Sequence, residues 1–166
     1  RVRVFVCGYG NPFRTDDGAG HHLAPLLAGF LESCGQDVEL RLEHQLLPEM
    51  AEEFAAFDLL LFADARVPGT AHGEGFLLEE IDPDPVLEGL NIHSVGPEWV
   101  LALAAQIGGK APPALLLSVE GESFDFGEIP TPSCALRIRE AAEAFKRWFR
   151  QKYPRSGCSN GAQTGI

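Results

Sequence analysis

No apolar run in this chain approaches the about 20 residues that a membrane-spanning helix needs, so no transmembrane segment is expected. No CxxC pair is present. The four cysteines, at 7, 34, 134 and 158, are far apart in sequence, which argues against a closed, cysteine-rich structural metal site. No secretory signal is visible, so four reduced thiols in a cytoplasmic protein are the expectation. Positive charge is scarce: 13 Lys and Arg stand against 24 Asp and Glu, for a formal net charge of −11. Such a surface repels duplex nucleic acid and anionic membrane alike, and neither is expected as a partner. A dinucleotide fingerprint is missing too. "GYGNPF" has Gly8 and Gly10, but Phe13 holds the third glycine position and Pro12 lacks the N–H a phosphate would use. Internal repeats and linkers are also absent. One domain over residues 1–153 is expected, with residues 154–166, ending "SGCSNGAQTGI", as a disordered tail.

What is present is an alternation of two periods. Val2–Cys7 is β-branched and apolar, Val38–Leu42 alternates, Leu59–Ala63 is apolar throughout, and Gly75–Ile81 and Leu115–Val119 read as further strands. Leu23, Leu26, Leu27, Phe30 and Leu31 keep helical spacing, with Pro25 predicting a late start or a kink. Leu47, Met50, Ala51 and Phe54 suggest a short helix. Val100 to Ile107 forms another, ended by Gly108-Gly109, and a long one opens at Thr131-Pro132. The connection "DARVPGTAHGE" is too short for a helical crossover, so the fourth strand should run antiparallel. The order describes a three-layer α/β/α sandwich around a five-stranded, mostly parallel mixed sheet. The seven basic residues from Arg137 to Arg155, against Glu140 and Glu143, leave +5 on the last helix and −16 elsewhere. That strip reads as a solvated helix face.

In such sheets ligands gather at the carboxyl ends of the strands. Asp16-Asp17 follow the first strand, Glu43-His44 the second, Asp64 the third, and Glu120 and Glu122 the fifth, while His93 lies in the loop before the third helix. One aspartate of the 16–17 pair can cap a helix. Two in a row are over-supplied, and adjacent acids raise each other's pKa unless a cation relieves them. Asp64 closes a buried run, where a carboxylate needs a partner; that partner is either a loop it orients or an ion. The adjacent His21-His22 face different ways, and His72 lies in a loop. Two acids and one histidine would suit a borderline divalent metal such as nickel or zinc. The residues alone lead to an acidic, metal-capturing cleft and do not name a reaction.

The run "GYGNPFRTDDGAG", then "LLLFADA", then "NIHSVGPEWVL", resembles the hydrogenase maturation endopeptidases, which trim the C-terminal extension from the large subunit of nickel–iron hydrogenases. The resemblance spans Val4 to the last helix. It implies a phosphorylase/hydrolase-like α/β/α fold. It also implies a site in which Asp17, Asp64 and His93 hold nickel and carry catalysis, with Asp16, His44 and Glu122 as outer contacts. Nickel would come with the substrate precursor and be bound only transiently, and the enzyme would work as a monomer. Two departures stand out. The first acid is Asp17 where many members have Glu, and "EHQLLPE" (Glu43 to Glu49) replaces an Asp-Gly-Gly-Thr loop, as in members serving bidirectional or cofactor-linked hydrogenases. Rival readings are another metal-dependent hydrolase, a phosphorelay receiver and a cysteine protease. The receiver needs a lysine after the fifth strand, which "SVEGES" lacks. The cysteine protease needs a Cys–His context that is not recognisable here.

Overall fold

The computed structural model describes residues 1–84 and 95–158. Its strands are β1 (Arg3–Tyr9), β2 (Asp37–Glu43), β3 (Leu59–Arg66), β4 (Phe76–Ile81) and β5 (Ala114–Glu120). They form one sheet in the order β2-β1-β3-β5-β4. The first four neighbours in that row pair in parallel, and β4 runs antiparallel to β5. The short, glycine-containing connection after β3 permits only that reversal.

Alternation along the strands divides the core in two. Val4, Val6, Leu59, Leu61 and Ala63 face α1 (Ala19–Ser33) and α3 (Pro132–Lys152). Phe5, Cys7, Leu60 and Phe62 face α2 (Pro97–Gly108) and two 3₁₀ turns, Pro48–Glu52 and Phe54–Ala56. Both faces are therefore covered, and this is why β3 reads as an unbroken apolar run. Phe5 lies edge-on to Phe54, Phe57 and Phe62. Aromatic groups of this kind supply about 1.5–3 kcal/mol each on burial.

Several expectations change. The first helix does not start late; it begins at Ala19 and continues through Pro25. That proline is exposed, so the carbonyl it leaves without an N–H partner is on the wet side of the helix. The short second helix is the pair of 3₁₀ turns. Pro48 opens the first from an extended Leu47, and Met50, Ala51 and Phe54 must all be buried within a few residues. α2 does end at a left-handed glycine, Gly109 (φ 85°), and α3 is capped by Thr131.

The thiols are not all reduced. Cys34, just past α1, is disulfide-bonded to Cys158, just past α3. Residues 154–158, assigned above to the tail, are held in place. The Gln36 amide donates to the Ser156 carbonyl at 2.5 Å, and Arg150 Nε donates to the Cys158 carbonyl at 3.0 Å. α1 and α3 lie side by side, so their ends meet although 124 residues separate the two cysteines. Among the described residues no helix is long and apolar enough to cross a membrane.

Candidate functional site

The site begins where β1 ends. Tyr9 is the last strand residue, and Gly10 turns the chain with φ 132°. A Cβ at Gly10 would lie 2.3 Å from the Asp17 carbonyl oxygen, so the loop closes on itself only with glycine there. The Asn11 N–H donates to Asp17 Oδ2 at 2.9 Å, and the Asp17 N–H donates to the Arg14 carbonyl at 3.1 Å. Asp17 thus sits in a 3₁₀ turn, Thr15–Gly18, with one oxygen anchored. That turn leads directly into α1. Gly20 packs so closely that a Cβ would meet the Ala63 carbonyl oxygen of β3 at 2.3 Å.

β1 and β3 are neighbours, with Gly8 opposite Ala63. The next residues, Tyr9 and Asp64, therefore stand side by side on the α2 face of the sheet. Asp64 Oδ1 accepts the Ala65 N–H at 2.8 Å. Burial, most of all, pushes the Asp64 carboxyl up to about 7. The Ala65 N–H opposes this, the negative charge of Asp17 adds to it, and the Tyr9 hydroxyl and the Arg66 guanidinium partly offset it. Burial, followed by the charge of Asp64, also drives the Tyr9 phenol upward, so Tyr9 keeps its proton and donates to the carboxylate. Arg66, two residues on and on the same face, is braced by Ser118 Oγ at 2.7 Å and Thr70 Oγ1 at 2.9 Å.

Asp17 and Asp64 are therefore brought together at the carboxyl ends of adjacent strands, near enough to repel. A cation relieves that repulsion, and each carboxylate keeps acceptor capacity beyond its single backbone N–H bond. Oxygen donors in this state fit a divalent metal. His93 lies outside the described residues, and among those described no group of three ligands is assembled. Residue 93 precedes the first residue of α2, Pro97, by four positions.

The other sequence candidates take different places. Asp16 is fully buried and accepts from the Glu122 and Ser123 N–H groups at 2.7 and 3.1 Å, and from the Thr131 N–H and hydroxyl at 2.8 and 2.7 Å. Burial alone would raise its pKa, but these four bonds outweigh it and hold the carboxyl below the usual aspartate range. It caps no helix directly; it clamps the loop after β5 and orients Thr131, the cap of α3. Glu122 contributes its backbone N–H to that clamp, while its carboxylate faces Arg137 at 3.6 Å. His44 is exposed at the end of β2, and its carbonyl accepts the Gly10 N–H at 3.1 Å. His21 Nε2 lies 2.8 Å from the Glu43 carbonyl. Glu120 receives the Gly69 and Ala71 N–H groups and ties down the β3–β4 loop.

Tyr9 and Arg66 form no motif of their own that is legible in the sequence. Their signal was available only as a Tyr at a strand end and an Arg at strand spacing from Asp64. Cys7 is buried in the sheet core, and its thiol is raised to about 12, first by burial and then by Glu43. Cys134 is likewise buried and raised to about 12. Neither is a thiolate nucleophile.

No family model matches this sequence, and no curated protein does. Solved structures do match. The hydrogenase maturating endopeptidase HybD from E. coli superposes with a TM-score of 0.61 at 20% identity, over 90% of this chain and 93% of that one. The [NiFe] hydrogenase maturation protease HycI from Thermococcus kodakarensis gives 0.58 at 25% identity, over 87% and 90%. A hydrogenase 2 maturation peptidase from a Thaumarchaeota archaeon gives 0.57 at 17%, over 89% and 97%. Nearly the whole chain thus has the fold of the nickel–iron hydrogenase maturation proteases.

Proposed function

We propose that this chain is an endopeptidase that removes the C-terminal extension of a nickel–iron hydrogenase large-subunit precursor once nickel has been inserted. Asp17, Asp64 and His93 recognise the nickel that the precursor carries. The observation that supports this reading is the confrontation of Asp17 with Asp64 at the rim of a fold otherwise seen in such proteases. Two carboxylates held close in a partly buried place are strained as anions and gain from a cation.

The division of labour follows from the contacts. Asn11 fixes the orientation of Asp17 through its N–H, and Tyr9 and Ala65 fix that of Asp64. Both acids therefore present preset oxygens, so little side-chain freedom is lost when the ion arrives. The nickel, as part of the substrate, would place the adjoining peptide bond against this rim. Asp16 and Glu122 hold the surrounding loop, and His44, exposed beside Gly10, offers an extra contact to the precursor. The enzyme would work in the cytoplasm and as a monomer.

Nickel-loaded and nickel-free precursor, incubated separately with the protein, test the assignment. Cleavage of the loaded form alone is expected. Equal cleavage of both forms, or of neither, would refute it. Asp17→Asn, Asp64→Asn and His93→Ala should each slow processing by about 100-fold or more. Calorimetric titration with nickel or cadmium should show the same three changes weakening ion binding, independently of cleavage.

A further inference from the structure

Of the eleven phenylalanines in the chain, nine are buried or half-buried and two are exposed: Phe13 at 61% and Phe126 at 89%. The two exposed rings belong to loops that meet. Arg14 pairs with Gly127 in a parallel bridge. The Thr15 N–H donates to the Gly127 carbonyl at 2.8 Å, and the Gly127 N–H to the Phe13 carbonyl at 2.9 Å. Arg14 Nε donates to the Phe124 carbonyl at 3.0 Å, and its guanidinium lies 5.5 Å from the Phe126 ring centre. Ile129, 81% exposed, extends the apolar display along the second loop. The Asp16 carboxylate locks the same loop from beneath.

We propose that this platform, carried by Phe13, Phe126 and Ile129, is where the protein substrate docks, with an apolar surface of the precursor resting on it while the cut segment reaches the rim. The inference rests on the proteolytic reading above. Large apolar side chains displayed on rigidly held backbone mark protein interfaces, because little ordering entropy is lost on contact. Continuity identifies the occupant: Phe13 lies four residues before Asp17, at most about 14 Å away along the chain, so a folded partner whose ion meets Asp17 is large enough to reach Phe13 as well. Charge argues against a second copy. Pairing two such rims would bring their Asp17 and Asp64 carboxylates toward each other in a chain that already carries −11.

Phe126→Ala/Ile129→Ala and Phe13→Ala, all at exposed positions, test the platform. Two readouts are needed: direct binding of labelled nickel-loaded precursor, and steady-state cleavage. Weaker binding and a KM raised about tenfold or more, with kcat nearly unchanged, are expected. Unchanged binding and KM would overturn the platform. Failure of the wild-type protein to bind precursor at all would overturn it too. Wild-type binding that the variants lose, without any cleavage, would sustain the platform and remove the proteolytic reading. Self-association of the wild type, abolished in the variants while KM stays the same, would assign the patch to a second copy and refute the proposal.

Discussion

Asp64 shows how much one position can carry. An ordinary aspartate is ionised well below pH 7, yet burial and the facing Asp17 raise this one to about 7. The sign of the consequence is set by proton binding. Between about pH 4 and about pH 7 the folded protein holds a proton on Asp64 that the unfolded chain has lost, so stability falls as pH rises through that window. Asp64→Asn removes the charge at the same volume. In metal-free protein the variant should melt higher than the wild type at pH 8, with the gap nearly gone at about pH 4. A shift of about 2–4 °C corresponds to each kcal/mol for a chain of this size. Scanning calorimetry at the two pH values checks it, and a gap of equal size at both would show that charge is not the cause. That a residue costing stability closes β3 is the usual mark of a position retained for function.

At the scale of elements, the Asp16 clamp holds the loop before α1 against the loop before α3. Its carboxylate satisfies three backbone N–H groups and the hydroxyl of the α3 cap. Asp16→Ala would leave those part-buried donors without their partner, at a cost of about 3 kcal/mol. Because the Asp16 pKa is lowered in the fold, this contribution is present above the ordinary aspartate range and is lost as pH falls through and below about 4. Chemical denaturation of wild type and variant at pH 7 and pH 3 should therefore give a large difference that shrinks in acid. A difference independent of pH would contradict the ionised-clamp account. One glycine pair acts at this scale too: Gly8 and Gly20 let α1 approach β1 and β3 at backbone contact, which brings the Asp17 turn to the end of β3.

For the whole molecule, the Cys34–Cys158 disulfide joins the ends of α1 and α3 and closes nearly three-quarters of the chain into one loop. Constraining so long a loop in the unfolded state is worth about 2–4 kcal/mol in typical proteins. Cys158→Ser, or reduction of the wild type, should lower unfolding stability by that amount, and reductant should leave the variant unaffected. Identical melting of oxidised and reduced wild type would exclude a stabilising role. The basic strip on α3 also has an intramolecular role: Arg150 bonds the Cys158 carbonyl, Lys152 faces Glu80 at 3.6 Å, and Lys146 and Arg150 lie over Phe30.

Local pattern was enough for the strands, the antiparallel fourth strand, the capped long helix and the placing of Asp64 at the end of its apolar run. Each depends on period, turn chemistry or an acid at the end of an apolar run, all of which are properties of neighbouring residues. Only the folded chain decided that Asp16 is a clamp, since its partners lie more than a hundred positions away, while the adjacent Asp17 points elsewhere and is held by Asn11 six positions back. The same holds for Tyr9 beside Asp64, which depends on the β1–β3 register, for the cross-linked loops that expose Phe13 and Phe126, and for the disulfide. The physical reason is common to all four: strand register and helix docking bring distant segments within hydrogen-bond or covalent reach, and no spacing along the chain encodes that distance.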